Sequence, residues 1–141
     1  MTFSKMAKLV SLVLLMTLIV ISCTLTTTKT KAPLFSKSAD SLQGDLNKIV
    51  SCEGINIDGE EITTNGKVSS ELEIDITNGH NIPADENQMD DLGKQIAVIG
   101  KQALQDKGEY NTYKVLFVIR KVDGSVTETT SKGKIFKSEE L

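Results

Sequence analysis

Histidine and cysteine, which often act as catalytic residues or zinc ligands, are scarce in this chain. His80 is the single histidine, and Cys23 and Cys52 are the two cysteines. A thiol beside an imidazole can act as a nucleophile, because the imidazole accepts the proton of the thiol. A lone histidine, however, cannot form a typical zinc site without cysteine or carboxylate neighbours. We therefore expect His80 to be a solvated loop residue and Cys52 a small buried residue, with no catalytic pair between them.

Carboxylates are the next candidates. Glu71, Glu73 and Asp75 alternate with apolar residues, and paired acids of this kind could catalyse glycoside hydrolysis. The segment from Asn56 to Glu61 is rich in oxygen ligands but lacks the spacing and the distal glutamate of an EF-hand. Strict alternation places the three acids on the wet side of a strand. We therefore predict an interaction surface at Glu71, Glu73, Asp75 and Thr77, with weak calcium binding near residue 58 as the alternative.

Sequence motifs for common enzymes are missing. The chain contains no Gly-x-Ser-x-Gly, His-Glu-x-x-His, P-loop or Gly-x-Gly-x-x-Gly pattern. We predict a protein that is not an enzyme and that uses no cofactor and no metal. An enzyme with an unrecognised site, or a protein similar to a protease inhibitor, is the alternative, although Gln95 to Gly100 only approximates the Gln-x-Val-x-Gly loop of cystatins.

Cys23 differs from these residues, because we expect it to be modified covalently and not to catalyse a reaction. Met1 to Lys8 carries two lysines and no acid, and Leu9 to Ile21 is an apolar run of 13 residues. A basic start, a short apolar run and a small residue at Ser22 are typical of a secretory signal peptide. The run is shorter than the roughly 20 residues of a membrane-spanning helix.

The end of this run, Val20-Ile21-Ser22-Cys23, resembles the lipobox of bacterial lipoproteins. The resemblance implies cleavage between Ser22 and Cys23, acylation of the Cys23 thiol with fatty acids such as palmitate, and attachment to the membrane through the lipid anchor. In bacterial lipoproteins, an aspartate directly after the lipidated cysteine favours retention in the inner membrane. This chain has Thr24 at that position. The resemblance therefore implies a protein of the cell envelope, held in the outer membrane and facing the periplasm.

Composition limits the remaining possibilities. Removing Lys5 and Lys8 with the signal peptide leaves 14 basic and 19 acidic residues, a net charge near −5. This balance argues against nucleic acid as a partner. Three parts are predicted: a signal peptide at residues 1–22, a flexible tether rich in Thr, Lys and Ser at 23–38, and one small domain at 39–141.

Periodicity and turn residues predict the fold of that domain. Apolar residues at helical spacing indicate a short helix from Ala39 to Val50 and a main helix from Asp85 to Lys107. Asn65-Gly66 and Asp123-Gly124 predict hairpin turns, and Asp58-Gly59 and Gly133 suggest a further turn and a bulge. The predicted fold is α+β: a two-layer ββαββ arrangement, in which a four-stranded antiparallel sheet carries one main helix, with the short helix before it.

Four segments, LEIDITNGHNIPADE, QIAVIGKQAL, YNTYKVLFVIRKVDG and IFKSEEL, resemble an uncharacterised family of small lipoproteins from Bacteroidota. The resemblance supports the predicted fold and envelope location and implies no activity. The function expected from the sequence is therefore that of a lipid-anchored envelope protein. Its non-catalytic domain would bind a partner protein, either through the surface at residues 71–77 or through the acidic start of the main helix. A module for a small ligand or calcium is the alternative.

Overall fold

The computed structural model describes residues 24–141, which form two helices and five strands in one mixed sheet. The signal peptide, Ser22 and Cys23 lie outside the described residues, so the predictions made for them stay predictions. The elements, in chain order, are β1 (Thr26–Thr30), α1 (Ala39–Asn47), β2 (Gly54–Thr64), β3 (Lys67–Thr77), α2 (Glu86–Ala103), β4 (Thr112–Asp123), β5 (Val126–Lys137) and a short 3-10 turn (Ser138–Glu140).

The sheet corrects the predicted fold class, although the α+β character holds. Its strand order is β1-β2-β3-β4-β5, with five strands in place of the predicted four. The pair β3–β4 is parallel, whereas the other neighbouring strands are antiparallel. Helix α2 explains the difference, because it carries the chain back along the sheet before β4 starts. A strand that follows such a crossover runs parallel to the strand before it.

The fifth strand, β1, lies within the segment that the sequence analysis assigned to a flexible tether. Thr26–Thr30 pairs with β2 over its whole length, from Thr26 opposite Thr64 to Thr30 opposite Glu60. Each of its five side chains is exposed. An edge strand of this kind is held by backbone hydrogen bonds and not by apolar burial, so no apolar periodicity marks it in the sequence.

The β2–β3 hairpin confirms the predicted turn at Asn65-Gly66. Both residues have positive φ, 50° and 79°, as a two-residue turn of type I′ requires. The predicted turn at Asp58-Gly59 is wrong, because β2 runs through it without a break. Gly59 has another role: a Cβ there would overlap the carbonyl oxygen of Lys31 and the phenol of Tyr110.

Helix α2 starts where the sequence predicted and ends earlier. Asp85 caps it, because its carboxylate accepts hydrogen bonds from the backbone N–H groups of Asn87 and Gln88. The helix ends at Ala103 and not near Gly108, since Leu104 turns into the core and forms an isolated bridge with Phe35.

One face of the sheet is covered by α1 and α2, and the core lies between these two layers. Gly100 lets α2 approach the sheet closely, because a Cβ there would lie 2.6 Å from the Cδ1 atom of Ile74. Helix α1, capped by Ser38, buries Leu42 and Leu46 as its spacing predicted. The largest fully buried side chains are those of Tyr110, Tyr113, Leu46, Leu72, Ile74, Ile76, Ile96, Leu104 and Val115.

The far halves of β4 and β5 extend beyond the helices. Every residue from 119 to 133 is exposed, so this hairpin forms an arm without a packed core of its own. The bulge expected at Gly133 does not occur, because pairing continues through Gly133 opposite Leu116. Gly133 instead leaves room for the Leu116 side chain, whose Cδ2 atom would lie 2.9 Å from a Cβ.

Candidate functional site

The face of the sheet opposite the helices carries no covering layer within residues 24–141. Strand alternation assigns Leu72, Ile74 and Ile76 of β3 to the helix-covered face, where they are fully buried. Glu71, Glu73, Asp75 and Thr77 therefore lie on the other side, which we call the open face. This placement puts the three acids predicted from the alternation on one side of the sheet, where each is half-buried.

Two further carboxylates join them from the neighbouring strand. The register places Asp58 opposite Glu73 and Glu60 opposite Glu71. Facing side chains on adjacent strands have Cβ atoms about 5 Å apart. We call this set of five carboxylates the acidic patch: Asp58, Glu60, Glu71, Glu73 and Asp75.

The positions of Asp58 and Glu60, which the sequence-based prediction did not include, could have been derived from the sequence. The Asn65-Gly66 turn pairs Thr64 with Lys67, and counting back along both strands from that pair brings Asp58 to Glu73. The interpretation of Asp58-Gly59 as a turn interrupted that count. The full patch was therefore predictable once β2 was taken as one continuous strand.

Lys114 of β4 is a positively charged residue within the acidic patch. Its ammonium lies 2.5 Å from a carboxylate oxygen of Glu73, and both side chains are about 70% covered by their neighbours. The bond to Glu73, opposed in part by desolvation, raises the pKa of Lys114. Two other bases of the open face lie farther along the strands, Lys67 at the start of β3 and Arg120 in the exposed arm of β4. The centre of the patch therefore has an excess of negative charge.

Two acids of the patch are poorly compensated. Partial burial, more than the nearby carboxylates, raises the pKa of Glu71, while Lys114 opposes the shift. The pKa of Asp75 is also raised, first by burial and then by Glu73 and Asp58. In addition, the Oδ1 atom of Asp75 is buried without a hydrogen-bond partner. A cation that approached this centre would relieve both effects.

Thr77, the fourth predicted residue, is placed at the edge of this surface. It is the last residue of β3 and lies opposite Gly54. Its carbonyl oxygen accepts a 3.0 Å hydrogen bond from the backbone N–H of Glu53. The structure therefore gives Thr77 a backbone role and a position beside the acidic patch.

Apolar side chains border the acidic patch on the β4–β5 side. Leu116 and Val118 lie half-buried on the open face, and Ile135, opposite Lys114, is 63% exposed. A surface with a charged centre beside exposed aliphatic groups offers a partner both electrostatic attraction and apolar contact.

At the acidic start of α2, the second predicted partner surface, Glu86 and Asp90 already form salt bridges within the domain. Lys134 lies 2.6 Å from Glu86 and 3.0 Å from Asp90. The hydrogen bond from Lys134 lowers the pKa of Glu86. Asp85 caps the helix. These internal partners leave less free charge there than on the open face.

Cys52 and His80 do not form a nucleophilic pair. The Sγ atom of Cys52 points to the Oδ1 atom of Asn47 at 3.9 Å, and burial raises the pKa of the thiol. His80 is exposed and has Ser51 as its neighbour, with Nδ1 3.4 Å from the serine Oγ. The raised pKa lowers the thiolate fraction and with it the reactivity.

A metal site also lacks support in the described part of the chain. No group of three or more His, Cys, Asp or Glu side chains within residues 24–141 is arranged to hold a metal ion. The segment from Asn56 to Glu61 lies in β2, so its side chains alternate between the two faces and cannot converge on one calcium ion.

Comparison with known proteins adds no homologue. No protein-family model matches the chain, and no curated protein and no solved structure matches it. Neither α1 nor α2, the α-helices of residues 24–141, combines the length and apolar character needed to cross a membrane.

Proposed function

We propose that this protein is a lipid-anchored, non-catalytic binding module of the bacterial cell envelope, whose open face binds a cationic segment of another envelope protein. The observation that carries the binding role is the acidic patch, in which Lys114 pairs with Glu73 beside Glu71 and Asp75, while Asp58 and Glu60 extend the negative charge onto β2. The location rests on the resemblance of residues 20–23 to a lipobox and on the predicted outer-membrane anchor at Cys23.

Charge is the main argument for a cationic partner. The pKa values of Glu71 and Asp75 are raised because burial and neighbouring acids disfavour their ionised forms. A lysine or arginine of a partner would stabilise those carboxylates and could donate a hydrogen bond to the unpaired Oδ1 atom of Asp75. Complementary charge of this kind mainly accelerates association and selects the partner.

The remainder of the open face supports a protein segment as the occupant. Leu116, Val118 and Ile135 lie beside the patch, so a segment that alternates basic and aliphatic residues could cover both. Cys52 and His80 contact other residues, Asn47 and Ser51, and not each other, which favours a binding role over a cysteine nucleophile.

A photo-crosslinking experiment in intact envelopes tests this binding role. A photoreactive amino acid replaces Thr112, which lies beside Glu71 on the open face, or Gln95 on the exposed side of α2 as the matched control. We expect position 112 to give a defined adduct whose partner carries a basic segment, and position 95 to give none. Glu71→Gln combined with Asp75→Asn should reduce the adduct severalfold, as should raising the salt concentration.

Equal adducts from both positions, or an adduct that the neutralised variant leaves unchanged, would contradict the proposed surface. The anchor is tested separately by metabolic labelling with an alkyne analogue of palmitate. Cys23→Ser should abolish the label and release the protein from the membrane fraction, whereas Cys52→Ser should change neither. Persistent labelling of Cys23→Ser would contradict lipidation at this residue.

A further inference from the structure

A cavity of about 400 Å³ lies where β3 ends and its parallel pairing with β4 stops, at Thr77 opposite Val118. Its floor is apolar and contains Ile76, Met89 and Phe117, while Ile82 forms one wall. Cavities of roughly 300 to 1,000 Å³ with mostly apolar lining are typical of small-molecule sites. In open sheets, the carboxyl ends of parallel strands are also the usual place for a ligand.

The wall of this cavity is held in place before any ligand binds. The side chain of Asn78 donates hydrogen bonds to Glu53 at 2.6 Å and to the carbonyl of Arg120 at 3.1 Å, and it accepts one from the N–H of Arg120 at 2.7 Å. The N–H of His80 donates to the carbonyl of Ser51 at 2.7 Å. A pre-organised wall lowers the entropy lost on binding.

Gly79 has a specific role in this wall. A Cβ at this position would lie 2.7 Å from the Cδ1 atom of Ile82 and 3.2 Å from Ile76. The missing side chain therefore lets Ile82 fold back against the end of the sheet. Across the cavity, Ile119 is 55% exposed, so apolar surface remains for a ligand to cover.

The mouth of the cavity is polar and carries a weakly engaged cation. Thr130, Ser131 and Lys132 of β5 line this side. The ammonium of Lys132 lies 4.0 Å from Glu86, whereas Lys134 holds the same carboxylate at 2.6 Å. Because Glu86 is already bound by Lys134, the ammonium of Lys132, with a side chain 61% exposed, is available to another anion.

We propose that this cavity binds a small amphipathic anion, with an aliphatic or aryl body against Ile76, Met89 and Phe117 and a carboxylate paired with Lys132. Thr130 shares the helix-covered face with Lys132, so its hydroxyl group is on the same side as the carboxylate. The larger groove of the protein, about 540 Å³ along α2, is more open and is bordered by side chains of both signs, Asp91 and Lys94. It therefore lacks the enclosed apolar floor that this ligand needs.

Calorimetry with octanoate and 4-phenylbutanoate tests the cavity, using the full chain in lipid nanodiscs and subtracting the signal of empty nanodiscs. We expect at least one of these acids to bind, and the uncharged octanamide to bind about tenfold more weakly than octanoate. The relative affinities of the two acids distinguish an aliphatic from an aryl body.

Two pairs of variants locate the binding. Lys132→Met should weaken octanoate about tenfold and leave octanamide unchanged, whereas Lys121→Met, farther along the same arm, should change neither. Thr130→Trp should close the mouth and abolish binding, whereas Thr127→Trp, outside the cavity, should not. No binding of either acid at millimolar concentration, equal affinity for octanamide, or full binding by Thr130→Trp would overturn the proposal. None of these outcomes depends on the open face.

Discussion

The phenol of Tyr110 donates a 2.6 Å hydrogen bond to the backbone carbonyl of Lys31, in the space that Gly59 leaves free. Further contacts of Lys31 hold the backbone at the same position. The N–H of Lys31 donates to the carbonyl of Gly59 at 2.7 Å, and the Lys31 ammonium donates to the carbonyl of Glu109 at 3.0 Å and lies 5.1 Å from the Tyr110 ring centre. This junction fixes the segment after β1 to the body of the domain.

Gly59→Ala should therefore be strongly destabilising. The added methyl group would overlap both the carbonyl of Lys31 and the phenol of Tyr110, and overpacking of a tight site costs about 1–3 kcal/mol. Urea unfolding followed by circular dichroism measures the loss. Tyr110→Phe keeps the ring but leaves the Lys31 carbonyl without this donor, and should cost about 1 kcal/mol. A Gly59→Ala protein as stable as the parent would contradict the tight junction.

Replacing either of two helical glycines, Gly44 or Gly100, by alanine should change the free energy of unfolding in opposite directions. Gly44→Ala in α1 meets no atom within 4 Å and should raise the free energy of unfolding by up to about 1 kcal/mol, because alanine is the better helix former. Gly100→Ala should lower it, since its methyl group would lie 2.6 Å from the fully buried Ile74. Urea midpoints of both variants give the signs directly. A stabilising Gly100→Ala would mean that α2 can move away from the sheet without loss.

The fold was predictable where apolar periodicity and turn chemistry agree. Helix α2, the Asn65-Gly66 hairpin and the side of the sheet occupied by Glu71 to Asp75 all follow from these two signals. Strand β1 did not follow, because its sequence, TTTKT, is polar throughout and is held by backbone pairing at an edge. The parallel β3–β4 pair depends on how α2 crosses the sheet, which alternation within a single strand does not determine.

The candidate site was predictable only in part, for a similar reason. Alternation within β3 assigns Glu71, Glu73 and Asp75 to one side, but Lys114 reaches them only because β4 lies next to β3. The cavity is harder still to predict, since its floor combines residues of β3, α2 and β4. Contacts between elements distant in the chain depend on their docking, and sequence periodicity carries no information about docking.

The pH dependence of stability should reflect the acidic patch. The pKa of Asp75 is raised by burial and then by Glu73 and Asp58, so the protonated carboxyl group, which predominates below the unfolded pKa of 3.8, favours the folded state. That contribution is lost as the pH rises through the higher folded pKa. Asp75→Asn should therefore stabilise the protein at pH 7, where the ionised carboxylate is disfavoured by its surroundings. The difference should disappear near pH 3.

Asp45 provides the matched control with the opposite sign. Hydrogen bonds from Lys37 and Lys48 lower its pKa to about 2. Its contribution is present above the unfolded pKa of 3.8 and is lost as the pH falls through the folded value. Asp45→Asn should therefore destabilise the protein at pH 7, and its effect should shrink as the pH falls below 3.8 towards the folded pKa of about 2. Urea unfolding at pH 3, 5 and 7 separates the two variants, and equal signs at pH 7 would contradict the assigned environments.

Cys52 should react slowly with alkylating reagents while the protein is folded. Its thiol is half-buried, points to Asn47 and has a pKa raised by burial, and only the thiolate attacks iodoacetamide. At pH 8 we expect alkylation to be severalfold slower in buffer than in 8 M urea, as followed by intact mass. His80→Ala should leave the folded rate unchanged, because the imidazole lies against Ser51 and not against the thiol. A marked fall in the rate of His80→Ala would show instead that the imidazole activates Cys52.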